Sequence, residues 1–159
     1  MTSSRMKTAA LFLSIVTLQG VMLAALPPGA ALAAEPAAEP ATLTITFEGI
    51  TQVSGEIRGQ LFASEAAYGG KGGPPAAMFA LPVAGGSVST TVTGLAPGRY
   101  AIRAFHDVDG DGRMGANPFG IPTEPFAFSN NARGAFGPAT WADAAFEVAG
   151  DTAAVITID

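Results

Sequence analysis

The chain has no cysteine. That excludes disulfides, thiol catalysis, a lipid-bearing cysteine anchor and thiolate zinc sites. Histidine is nearly absent too: His106 is the only one, which argues against a histidine-built metal centre. Basic residues are scarce, 8 Lys and Arg against 13 Asp and Glu, for a net charge of −5. Such a balance argues against nucleic acid and anionic membrane surfaces as partners. There is no Gly-x-Ser-x-Gly elbow, and the run Gly69 to Pro75 lacks the spacing of a phosphate cradle. Beyond residue 33 no segment holds a 3.6-residue apolar period, and only Ser64 to Tyr68 suits a helical turn.

The one long apolar run lies at the start. Arg5 and Lys7 precede Leu11 to Leu26, Pro27-Pro28-Gly29 break it, and Ala31-Leu32-Ala33 fits small-x-small cleavage. Residues 1–33 therefore read as a secretory signal peptide. The alternative is an uncleaved anchor, since the run is near the lower length limit for spanning a bilayer; Ser14, Thr17, Gln19 and Gly20 interrupt it and favour removal. Residues 34–41, rich in Ala and Pro, read as a flexible leader. Without the signal the chain keeps six basic and thirteen acidic residues, a net charge of −7. The expectation is a single domain over residues 42–159, periplasmic or secreted, with no nucleic-acid partner and no membrane insertion once the signal is removed.

The domain reads as β structure. Leu43, Ile45 and Phe47 alternate with Thr44, Thr46 and Glu48, and Ile57, Gly59 and Leu61 alternate with Glu56, Arg58 and Gln60. This period of two, punctuated by Gly, Pro and Asp, predicts strands over 42–48, 55–63, 77–83, 87–93, 98–107, 143–148 and 152–158. About seven short strands in a domain of this size point to an all-β antiparallel two-sheet sandwich, Ig-like or transthyretin-like. Leu95-Ala96-Pro97-Gly98-Arg99-Tyr100 resembles a turn of transthyretin-like and carboxypeptidase-regulatory-like sandwiches, with Gly98 expected at the positive-φ corner of a type II turn.

The strand after that turn has two unequal faces. Tyr100, Ile102, Ala104 and His106 read as core; Arg99, Ala101, Arg103, Phe105 and Asp107 face away. Phe105 on an outer face wants cover, and the strandless stretch 108–142 is the obvious cover. It carries Phe119, Phe126, Phe128, Phe136 and Trp141, too aromatic for a disordered linker. An ordered loop of this kind either plugs the sheet face or lines a ligand groove.

Asp107, Asp109 and Asp111 stand at positions 1, 3 and 5 of half a calcium loop, with Gly112 at position 6 and the Arg113 carbonyl at position 7. Three hard oxygens on one turn suit Ca²⁺, the only cofactor the sequence points to. Position 12 is Pro118 rather than Glu, so an EF-hand is excluded, and Asn117 or Glu124 would have to complete the set. A plain Asp-Gly turn is the competing reading. His106 and Asp107 are strand neighbours and point to opposite faces, which speaks against a catalytic pair; no catalytic residue is assigned. The polar centre Ser129 to Gly134 offers Asn130, Asn131 and Arg133 beside Phe126, Phe128 and Trp141. These six are the candidate ligand contacts, suited to a peptide or glycan, or else the Asn residues serve turn architecture.

The ordered combination Phe105-His106-Asp107, Asp109 to Gly112, Gly120-Ile121-Pro122, Phe128 to Ala132 and Gly137-Pro138 resembles the bacterial exported family known as domain of unknown function 2141 (DUF2141). The resemblance extends over about residues 42–158. It implies an exported β-sandwich and no particular activity. Three function classes follow: a non-enzymatic binding module, possible Ca²⁺ stabilisation included; an envelope enzyme or enzyme accessory centred on His106 and the 126–134 loop; and a structural partner of an envelope protein.

Overall fold

A computed structural model describes residues 39–159. The expected signal peptide, and the leader as far as residue 38, lie outside the described residues. Eight strands form two sheets: β1 Ala41–Glu48, β2 Glu56–Phe62, β3 Ala77–Pro82, β4 Ser87–Leu95, β5 Gly98–Asp107, β6 Phe126–Phe128, β7 Phe146–Val148 and β8 Asp151–Thr157. One sheet has the order β4-β1-β8; the other has the order β3-β2-β5-β6, with β7 also on β5. Among the described residues no helix is long and apolar enough to cross a membrane.

The alternation of the sequence becomes the core. Leu43, Ile45 and Phe47 of β1 meet Ile57 and Leu61 of β2, Tyr100, Ile102 and Ala104 of β5, and Ile156 of β8 between the sheets. Each fully buried Leu, Ile or Phe among them contributes about 1.5–3 kcal/mol over its exposed state. Gly59 takes an inward position because the Phe79 ring crosses it: a Cβ there would lie 2.1 Å from that ring. Tyr100 is buried, and its hydroxyl donates to the Ala96 carbonyl at 2.8 Å, which ties the Leu95 to Tyr100 turn to the core.

Four features differ from the sequence reading. The β1–β8 pair is parallel, so the sandwich is not wholly antiparallel. The reason is the crossing from β7, on β5 in one sheet, through the Gly150 turn to β8 in the other. The expected strand 143–148 is only Phe146–Val148, because Trp141–Ala144 forms a short helix, α2. Thr140 caps it by accepting the Asp143 N–H at 3.3 Å, while its hydroxyl donates to the Asp143 carboxylate at 2.6 Å. The stretch 108–142 is not strandless, since it contains β6. Gly98 has φ 157°, outside the expected type II corner. The helical turn foreseen at Ser64 to Tyr68 is present as α1, Glu65–Tyr68, capped by the Ser64 hydroxyl.

Strands β6 and β7 share one edge of β5. Phe126 and Phe128 pair with Phe105 and Arg103, whereas Phe146 and Val148 pair with Tyr100 and Gly98. At the gap between the two ladders, the Ile102 N–H donates to Ser129 Oγ at 2.8 Å. A side chain therefore stands in for a strand.

Candidate functional site

The outer face of the β3-β2-β5-β6 sheet is built from two cross-strand rows. Register places Met78, Gln60, Arg103 and Phe128 in one row and Ala80, Arg58, Phe105 and Phe126 in the next. The long loop does not lie flat on these rows. One arm raises Met114, Ile121 and Pro122 beside them, and the other raises Phe136 and Pro138. Between the arms lies an open groove of about 1020 Å³, at the upper end of the ~300–1,000 Å³ common for small-molecule clefts. Much of its apolar surface meets water: Met78 is 71 % exposed, Ile121 59 % and Phe136 106 %. Gly134 makes the second arm possible, because a Cβ there would lie 1.9 Å from the Gly137 carbonyl oxygen.

Beyond the rows the same sheet face is sealed. Phe62, Tyr68, Ala101, Phe128, Ala139 and Ala144 form a second buried cluster with Trp141 packed against it. Tyr68 stands edge-on to Phe62 at 5.5 Å and to Trp141 at 5.8 Å, and its hydroxyl donates to the Ala139 carbonyl at 2.9 Å. Burial pushes the Tyr68 phenol above its ordinary value, against the pull of Arg103. The Arg103 guanidinium lies 3.9 Å from the Tyr68 ring centroid and 5.6 Å from that of Phe62. Its Nε is buried without a hydrogen-bond partner.

The polar centre of the loop is occupied by work within the fold. Ser129 is fully buried, and its Oγ also donates to the Ala144 carbonyl at 2.6 Å. Asn130 and Asn131 both have positive φ, 58° and 51°, a region asparagine tolerates better than most residues. Asn130 Nδ2 donates to the carbonyls of Asp143 and Ala145, each at 3.1 Å, and Asn131 Oδ1 accepts the Thr157 N–H at 2.8 Å. Arg133 pairs with the Asp159 carboxylate. The loop centre thereby stitches α2, β8 and Asp159 together.

The acidic run forms nested turns. Asp107 is fully buried; its two oxygens accept the N–H groups of Gly110 and Gly112, both at 2.9 Å, and Arg58 lies 3.6 Å away. Asp109 accepts Asp111 N–H and Asp111 accepts Arg113 N–H. Glu124 crosses from the far side of the arm to accept Val108 N–H at 2.9 Å and Gly115 N–H at 2.8 Å. Oxygens of Asp107, Asp109 and Glu124 come within 4.8 Å of one another. The Asp111 carboxylate is outside that group.

Of the six expected ligand contacts, Phe126 and Phe128 line the groove. Asn130, Asn131 and Arg133 serve the loop's own architecture, and Trp141 belongs to the sealed cluster. His106 is buried, and its Nε2 is 2.7 Å from the Ser54 carbonyl oxygen. Arg103, Gln60, Met78 and the arm residues were not among the expected contacts. The outward alternation of Arg103 and Phe105 was visible in the sequence, but the register that sets them beside Gln60 and Met78 was not.

A family model described as "Uncharacterized protein conserved in bacteria (DUF2141)" matches residues 45–156. Comparison with curated proteins and with solved structures found no match.

Proposed function

The chain belongs to the DUF2141 family of uncharacterised bacterial proteins, and on that premise we propose that it is an exported, non-enzymatic binding module whose ligand lies in the groove between the loop arms. The observation that supports this reading is uncovered apolar surface on both floor and arms: Met78, Ile121 and Phe136 are exposed around a concavity that also contains Phe105, Phe126 and Phe128. Contiguous exposed apolar patches on a soluble domain commonly mark binding sites. The polar lining is sparse, Arg58, Gln60 and Arg103 on the floor, which suits a largely apolar ligand oriented by a few polar contacts. The binding test uses the neutral, environment-sensitive dye Nile red. Saturable fluorescence is expected with the purified protein, and titrations of Met78→Glu and Phe136→Ser decide whether the dye occupies the groove. Dye affinity unchanged in both variants would remove the groove as the site.

The calcium reading shifts its ligand set. The proximity of Asp107, Asp109 and Glu124 oxygens favours a weak hard-cation site that includes Glu124 and leaves out Asp111. Exported oxygen-ligand modules hold Ca²⁺ with Kd of about 10⁻⁴–10⁻³ M. Melting with Ca²⁺ and with chelator tests it.

A further inference from the structure

Resting on the groove reading, we infer that the groove takes an anionic amphiphile, a molecule with an apolar body and one carboxylate, and that Arg103 receives the carboxylate. Charge complementarity carries the inference. Two guanidinium groups line the groove floor, and their states differ. Arg58 is engaged with Glu56 and Asp107. Arg103 makes no ion pair among the described residues, which otherwise pair Arg99 with Glu147 and Arg133 with Asp159. Its contacts are the faces of Tyr68 and Phe62 and the Tyr68 phenol oxygen, none of which carries a charge. Aromatic faces attract a cation but supply no counter-charge; the Nε is buried without a partner, so the Nη groups are the donors a ligand in the groove can reach. A guanidinium presents five donors in a planar fork that matches a carboxylate in two parallel bonds.

The rest of the lining sets the body of the ligand. From Arg103 the floor continues through Phe105, Phe126 and Phe128, and the arms add Met114, Ile121 and Phe136. One guanidinium without an ion pair neutralises one charge, which favours a monoanion over a phosphate dianion that would need a second cation. The chain's net charge of −5 repels anions in general, so preference for an anion must arise at this local cation.

The test is displacement of Nile red by decanoate and by decanol, which share a chain and differ in the head group. Decanoate is expected to displace the dye at concentrations about tenfold lower or less, the scale of a charge-assisted hydrogen-bond pair. Arg103→Gln is expected to bring the two ligands level, each displacement being read against that variant's own dye affinity, and Arg103→Lys to keep part of the preference. Equal displacement by both ligands in the natural protein overturns the inference and leaves the groove reading intact. So does a decanoate preference that survives Arg103→Gln. Failure of Nile red to bind the natural protein is instead a failure of the groove reading. Should Arg103→Gln not fold, the decanoate-to-decanol ratio of the natural protein and of Arg103→Lys decides. A short leucine-rich peptide with a free C-terminus that outcompetes decanoate overturns the amphiphile in favour of a peptide.

Discussion

The outer face of the β3-β2-β5-β6 sheet has two ends with opposite fates. At the Phe62 and Ala101 end the loop returns through Ser129 and α2, with the Ala139 carbonyl on Tyr68, and closes the face; Ala101 and Ala144 are fully buried there. At the Arg103 and Phe105 end the same loop splits into two arms and leaves large side chains facing water. The difference lies in what the covering segment offers. The sealed end brings small residues, which allow close approach, and polar groups with partners: the Ser129 hydroxyl meets Ile102 N–H and the Ala144 carbonyl, and the Ala139 carbonyl meets the Tyr68 phenol. The open end brings glycine turns and proline, which shape a rim but fill no space. Cover for stability and, on the proposed reading, exposure for binding fall to adjacent parts of one loop.

The largest expected effect breaks the sealed end. Ser129→Ala leaves the Ile102 N–H and the Ala144 carbonyl without a partner in a fully buried place. Unsatisfied buried groups cost roughly 1–3 kcal/mol each, so a loss of about 2–4 kcal/mol is expected in denaturant unfolding. A loss below about 1 kcal/mol would mean that water reaches the gap between β6 and β7, and the contrast between sealed and open ends would fall. The open end should respond the other way. Met78→Glu and Phe136→Ser alter exposed side chains and should change stability by no more than about 0.5 kcal/mol. Each should weaken Nile red binding about tenfold, the order expected when one large apolar contact is lost.

The arm that borders the open end sharpens the comparison further. If Asp107, Asp109 and Glu124 hold Ca²⁺ with Kd of about 1 mM, 10 mM Ca²⁺ adds about 1.4 kcal/mol of stability. Asp109→Asn should abolish that increment in melting experiments and leave the chelated protein unaltered, because Asp109 is exposed and contributes one turn hydrogen bond. Identical melting of the natural protein with Ca²⁺ and with chelator would reduce the acidic run to an Asp-Gly turn.

Much of the framework was legible because alternation is local. Leu43, Ile45 and Phe47 announced their own burial, and β5 was bounded correctly at residues 98–107 by the Pro97-Gly98 turn and the acidic run. The outward position of Phe105 was legible too, but not that the loop would flank it with two arms instead of lying on it. Strand β6 was not, since three residues carry too little periodicity, and α2 was hidden although Thr140-x-x-Asp143 is a helix-start signature. Asn130, Asn131 and Arg133 have the side chains of a binding site, yet their partners, Ala145, Thr157 and Asp159, are set by tertiary placement that spacing does not encode. The groove is invisible for the same reason. It exists through the register of β2, β3 and β6 on β5, which brings Met78, Gln60, Arg103 and Phe128 into one row.

The smallest expected effect tests how dry the sealed end is. Burial raises the Tyr68 pKa above 10.0 in the folded chain, so at alkaline pH the unfolded chain releases the phenolic proton first. The folded state then binds more protons than the unfolded state, and stability falls as pH rises. The loss sets in as pH approaches the unfolded value of 10.0 and continues until the folded phenol itself ionises. Tyr68→Phe removes the ionisation together with the hydrogen bond to the Ala139 carbonyl, at a cost of about 1 kcal/mol near neutrality. Unfolding measured from pH 8 to above pH 10 should therefore show the variant less stable at the start and less sensitive to alkali afterwards. Parallel curves for the two proteins would show that Tyr68 titrates as it does in water. The sealed end would then be as wet as the groove beside it.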